Sequence, residues 1–349
     1  MTDRKTRLTA LEAIARERIL ILDGAMGTML QKHKFTEEDF RGERFADWDT
    51  SVRGNNDLLN LTRPDAVRDV HTAFIEAGAD MIETNTFSTT TIAMADYHME
   101  SIAAELAEAG ARIAREAADA ADKPVAVLGA FGPTNKTLSL SPNVNDPGFR
   151  EVTFDDVRTA YHQQAVAMAP HVDFFLIETV FDTLNAKAAI KAVMDYRAET
   201  GDDIPMIISG TITDASGRTL SGQTAEAFWH SVRHAKPWAI GLNCALGAKM
   251  MRPHINAISK VANTRVIAYP NAGLPNEFGE YDELPEQTAA QLREWATSGL
   301  VNVLGGCCGT TPPHINAIAN AVKGKAPRIP ADPATAMRLS GLEPFVLAS

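Results

Sequence analysis

The chain has 349 residues, 45% hydrophobic and 22% charged, with a net charge of −11. That length is ample for a large buried core, as one α/β barrel or two smaller domains. The acidic balance argues against a nucleic-acid or anionic-membrane partner. No apolar run approaches a membrane span and no hydrophobic core follows the polar N-terminus, so a cytoplasmic protein is expected.

After an opening polar helix at 7–17, short apolar runs alternate with long amphipathic ones. The predicted strands are Ile19–Asp23, Met81–Asn85, Val125–Ala130, Phe174–Glu178, Met206–Gly210, Ala239–Cys244, Val266–Asn271 and Val301–Gly305. They are rich in Ile, Val, Leu and Phe and read as buried on both faces. Helical stretches follow near 64–78, 90–121, 153–170, 182–199, 223–236, 249–262, 286–298 and 312–323. Proline in the first turn marks two of the starts, at Thr62-Arg-Pro and Thr311-Pro-Pro. Eight strand–helix units predict an α/β fold of the (β/α)8 TIM-barrel type, a single domain over 1–325 with a strap or linker over 326–349. An open doubly wound sheet also alternates. Polar residues at the ends of nearly all the strands favour closure, because a barrel gathers those ends at one mouth. Two long loops, 28–61 and 132–152, are expected over that mouth.

The three cysteines are Cys244, at the end of a strand, and the adjacent pair Cys307 and Cys308 in Gly305-Gly-Cys-Cys-Gly-Thr-Thr-Pro. Three buried core thiols are one reading. A vicinal disulfide is another, but it is strained and out of place in a reducing compartment. Neighbouring strand residues point to opposite faces, so two consecutive cysteines share an ion only where the backbone turns, as Gly305, Gly306 and Gly309 would allow. Three thiolates then suit Zn²⁺ with a fourth position left for a substrate. Asp23 and Glu178 each end an apolar strand. At the mouth they would hold an ammonium group; the alternative is a structural ion pair or helix caps. The glycine turn after Asp23 lacks the full G-x-G-x-x-G spacing and has no helix directly behind it, which weakens a nucleotide reading. Asn271 offers a displaceable amide ligand, or is a turn asparagine. His314 is placed one helical turn on, facing away from the thiols.

Several runs together resemble the zinc-dependent homocysteine S-methyltransferase family, and within it the homocysteine module of cobalamin-dependent methionine synthase. They include Leu22-Asp-Gly-Ala-Met-Gly-Thr, Glu83-Thr-Asn-Thr-Phe, Gly241-Leu-Asn-Cys, Arg41-Gly-Glu-Arg-Phe-Ala-Asp-Trp, Glu178-Thr-Val-Phe-Asp-Thr-Leu-Asn and the run from Ser209 to Thr224. The resemblance implies zinc held by Cys244, Cys307 and Cys308, with Asn271 in the fourth position until homocysteine arrives. It implies that Asp23 and Glu178 receive the substrate amine and that Gly24, Ala25, Met26 and Gly27 meet its carboxylate; Ser209 is placed with the substrate. The methyl group would come from methylcobalamin supplied in trans, because no Asp-x-His-x-x-Gly motif occurs here. The expected partner is therefore a cobalamin- and folate-binding methionine synthase subunit or domains, and the ending Phe345-Val-Leu-Ala-Ser favours a split enzyme over a fragment. The alternative is a stand-alone methyltransferase using S-methylmethionine or betaine. A redox or zinc-storage protein and a non-catalytic homocysteine-binding subunit are the other rivals.

Overall fold

The computed structural model describes residues 3–213 and 216–347. Asp214 and Ala215, in the run that starts at Ser209, and Ala348 and Ser349, in the ending read as a terminus, lie outside the described residues. Eight parallel strands make one sheet: β1 (Leu20–Ile21), β2 (Met81–Glu83), β3 (Ala126–Phe131), β4 (Phe174–Val180), β5 (Met206–Gly210), β6 (Ala239–Gly247), β7 (Arg265–Asn271) and β8 (Val303–Leu304). Their order is β1-β8-β7-β6-β5-β4-β3-β2. The two ends meet at a parallel bridge between Leu22 and Met81, where the Asp23 N–H donates to the Met81 carbonyl at 3.0 Å. The fold is the predicted (β/α)8 barrel, nearly closed.

Alternation along the strands sorts the apolar residues into two cores. Leu20, Leu22, Met81, Leu128, Phe174, Leu176, Ile207, Ile267, Tyr269 and Val303 fill the barrel, and Leu11 and Ala15 join the same cluster. The last two belong to the first helix, Arg4–Glu17, which therefore stoppers the N-terminal end of the barrel. Arg7 to Asp173 at 2.8 Å and Arg265 to Glu12 at 2.6 Å fasten it there. The intervening residues, Val127, Phe175, Ile177, Ile208 and Ile240 among them, face the outer helices.

The helix predicted over 90–121 is broken. Thr91–Met94 ends in two 3-10 turns before Ala103–Asp119 begins. His98 takes a left-handed φ of +56°, and the Tyr97 carbonyl accepts from Trp48 Nε1 at 2.9 Å instead of continuing a helix. The glycine turn after Asp23 also differs from expectation, because a short helix, Met26–Gln31, follows it at once.

Beyond the helix Pro312–Val322 the chain crosses the stoppered end. Arg328 is buried there and donates to the carbonyls of Ser259, Ala262 and Thr264. The segment finishes as a hairpin of β9 (Met337–Ser340) and β10 (Pro344–Leu347), lying on the helix Ala225–Val232 through Ser340 Oγ to the Ala227 carbonyl at 2.6 Å. Among the described residues no helix is long and apolar enough to cross a membrane.

Candidate metal centre

Alternation also decides what faces the mouth. Phe174 and Leu176 point into the barrel, so Glu178 is the next inward residue of β4. The same count puts Glu83 after Met81, Ser209 after Ile207, Asn243 two steps past Gly241, Asn271 after Tyr269, and Cys307 beyond Val303. Cys244 would point the other way. The backbone reverses it: Cys244 and Ala245 adopt left-handed φ values of +60° and +52°, at an irregularity in the pairing between Asn243 and Gly247. This conformation is costly for residues with a Cβ, and a bulge is a recurrent way of re-aiming a side chain.

The result is that Cys244 Sγ lies 3.7 Å from Cys308 Sγ, and all three sulfur atoms lie within 4.8 Å of one another. The thiols are free and partly buried. Cys307 and Cys308 sit in a turn pinned to β7, with Cys307 N–H donating to Pro270 at 2.8 Å and Ala272 N–H to Cys308 at 2.9 Å. Of the glycines expected to loosen this turn, only Gly309 is left-handed, at φ +80°. Gly305 and Gly306 are needed for closeness instead: a Cβ there would come within 2.7 Å of Leu22 and 2.2 Å of Thr310.

Thiols this close share protons. Hydrogen bonds from Cys244 and Cys307 pull Cys308 down to about 3, while the hydrogen bond to Cys244 pushes Cys307 up. Three sulfurs on one tetrahedral Zn²⁺, with Zn–S of about 2.3 Å, stand roughly 3.8 Å apart. The Cys244–Cys308 separation matches that spacing, and the donor set fits zinc. Beside the thiols, Asn271 Oδ1 is buried without a hydrogen-bond partner, an acceptor available to an ion or a substrate. His314 is otherwise engaged, its ring between Thr311 Oγ1 at 2.8 Å and the Glu283 carbonyl at 2.8 Å.

Asp23 and Glu178 are buried in the mouth, joined by the half-buried Glu83, which sequence reasoning did not single out as a site residue. Asp23 Oδ2 accepts from the Glu83 N–H at 3.1 Å, and Tyr269 OH donates to Glu178 Oε2 at 3.4 Å. Asp23 Oδ1 and Glu83 Oε1 have no partner. Burial, aided by the charge of Glu178, pushes both Asp23 and Glu83 up, and burial raises Glu178 to about 8. No Lys or Arg among the described residues pairs with any of the three. Ser209 is fully buried and its hydroxyl donates to Asn243 Oδ1 at 2.7 Å; the Asn243 amide in turn donates to Thr179 Oγ1 at 2.8 Å and reaches Cys307 Sγ at 3.9 Å. Asn243 was read as a polar strand end but given no role, and Tyr281, which helps to lower Cys308, was missed. Only the strand register exposes a role for the first, and the second sits far along a loop. The turn Gly24–Gly27 opens the short helix Met26–Gln31, whose N-terminus has no side-chain cap.

The chain matches the model of the homocysteine S-methyltransferase family over residues 20–322. It is similar in fold to three solved structures of the homocysteine methyltransferase MmuM from Escherichia coli. The oxidized form gives a TM-score of 0.70 at 20% identity, the metallated form 0.69 at 21% and the apo form 0.64 at 19%. Each alignment covers 90% of this chain and 99% of the other. These findings correct the expectation of a module of cobalamin-dependent methionine synthase. The barrel aligns over 99% of the chain of a protein described as a homocysteine methyltransferase, which leaves no support for methylcobalamin as donor or for a cobalamin- and folate-binding partner subunit. The chain is a methyltransferase and belongs to the homocysteine S-methyltransferase family.

Proposed function

We propose that the protein is a zinc-dependent homocysteine S-methyltransferase that takes its methyl group from a small sulfonium or ammonium compound, S-methylmethionine or betaine. One observation carries this reading: three converging, partly buried sulfurs share the mouth with the buried acids Asp23 and Glu178 and the half-buried Glu83, none of which pairs with a Lys or Arg among the described residues. Asp23 and Glu178 are more buried than the thiols, an order that suits the substrate. A thiol amino acid would enter amine first, its ammonium meeting Asp23, Glu83 and Glu178 and its sulfur left outermost among the thiols. Its carboxylate would meet the Gly24–Gly27 turn, where the Ala25 N–H is taken by the Thr310 carbonyl and the N–H groups of Met26 and Gly27 open the short helix.

Cys244, Cys307 and Cys308 would hold the zinc, with Asn271 Oδ1 as the acceptor that the incoming thiol displaces. When bound, zinc supplies a Lewis acid that lowers the pKa of a fourth thiol below its free value of about 8.5. Ser209 would act through Asn243, orienting its amide against Cys307. In the transfer the substrate sulfur forms a bond to the methyl carbon, and the bond from that carbon to the donor's sulfur or nitrogen breaks. The electron pair stays on the leaving sulfide or amine, and the thiol proton has already gone to solvent. Replacing Cys308 with Ala should cut bound zinc below a tenth per chain and lower methyl transfer by about 10³ or more. Metal analysis with a homocysteine assay against each donor tests both halves. Full zinc and full activity in that variant would remove the site assignment, and no turnover with either donor would remove the donor assignment.

A further inference from the structure

The far end of the barrel carries a second concave site. A cleft of about 660 Å³ is lined by Trp229, His230, Arg233, His234, Lys236 and Arg338, with Asn263 and Thr264 on the opposite wall. Its position follows from the strands. Lys236 and Pro237 lead into β6, and Asn263 and Thr264 lead into β7, so the cleft opens at the N-terminal ends of strands whose C-terminal ends carry the thiols. Its volume is that of a small-molecule site.

The chemistry of the lining is one-sided in a chain whose net charge is −11. Arg233, His234, Lys236 and Arg338 have no carboxylate partner among the described residues. Arg233 lies over the Trp229 ring at 6.0 Å, and Arg338 donates only to the carbonyls of Ala334 and Ala336. His230 is the second observation. Its side chain is 1% exposed and sits 3.5 Å from Glu226, yet neither ring nitrogen makes a hydrogen bond. Burial lowers its pKa, Glu226 opposes this, and Arg233 and Arg338 add to it, which puts both guanidiniums within electrostatic reach of the ring. Basic residues at the end of the helix Ala225–Val232 answer its dipole, and that accounts for Arg233 and His234. It accounts neither for Arg338, delivered by β9 of the C-terminal hairpin, nor for the unpartnered Nδ1 of a buried imidazole whose Nε2 faces Glu226.

We infer that this cleft binds a small phosphoryl-bearing anion. A planar carboxylate is satisfied by one guanidinium fork. Cations from three separate segments (Arg233 from the helix end, Lys236 from the loop before β6, Arg338 from the hairpin) line one cleft, an arrangement that suits a tetrahedral group with three acceptor oxygens. The site lies across the barrel from the thiols, so its occupancy does not compete with homocysteine.

The test is calorimetric titration of the full zinc-loaded chain with pyrophosphate, inorganic phosphate and citrate at fixed ionic strength. Saturable binding of the phosphates is expected, weakened about tenfold or more by Arg338→Gln and by Arg233→Gln. Arg252→Gln, at a surface ion pair elsewhere, should leave it unchanged. Arg338 stands on the peripheral hairpin, so its variant should keep the wild-type circular dichroism and homocysteine methylation. The inference is overturned if pyrophosphate fails to saturate at millimolar concentration, if neither arginine variant weakens it, or if citrate binds more tightly through the same arginines.

Discussion

At the scale of single residues, the site is defined by what it leaves unsatisfied. Glu178 has a folded pKa of about 8 against an unfolded value of about 4.3. A raised carboxylate favours the folded state fully below the unfolded value, and that contribution is lost as pH rises through the folded one. Glu178→Gln should therefore raise the thermal midpoint at pH 8.5, by roughly a few kcal/mol of stability, and change little at pH 4.5. Melting curves at the two pH values check this, and a gain at the acidic value alone would contradict it. The same three acids predict selectivity. Homocysteine lacking its amino group leaves them without a counter-charge, so its methylation should fall by about 10² or more in kcat/KM. Competition assays with the two thiols measure it. Glu178 was legible because four apolar residues precede it. Glu83 was legible as a polar strand end in a run shared with the family but not as a third acid, since its strand offers only Met81 and Ile82 before it; its contact with Asp23 emerges only when the barrel closes.

At the scale of elements, the eight strands were readable because burial on both faces leaves unbroken apolar runs. The break in the 90–121 stretch was not, because no glycine or proline marks it; a tryptophan from a distant loop takes the carbonyl. The turn of β6 at Cys244 was equally silent, since the left-handed residues there are Cys and Ala and the surrounding contacts impose the strain. The donor was hidden for another reason: the site residues named from those runs are thiols, carboxylates and amides, and none of these identifies who supplies a methyl group. One element contact is tight enough to predict from. A Cβ on Gly241 would fall 1.7 Å from the Ile267 carbonyl oxygen, where β6 meets β7. Gly241→Ala should cost roughly 3 kcal/mol or more, or prevent folding, because backbone rather than a flexible side chain must yield. Denaturant unfolding or the yield of folded protein reads the effect.

At the scale of the whole molecule, we propose that residues 1–325 form the barrel and 326–349 a strap, with the strap's first turn part of the barrel's stability. Arg328 satisfies three carbonyls, and its own N–H bonds to Val301 at 3.0 Å. Arg328→Ala should cost about 2–4 kcal/mol, whereas removing the hairpin from residue 335 on should cost under about 1 kcal/mol. Urea midpoints of the two variants separate the roles. The helix Arg4–Glu17, wedged by Leu11 and Ala15 into one end of the cylinder, has a consequence of its own. It shuts that end of the cylinder, which leaves the mouth as the way in among the described residues. Whatever is seated innermost must come in first and go out last, so the amino acid would load before the methyl donor, the spent donor would depart ahead of methionine, and turnover would run in compulsory order.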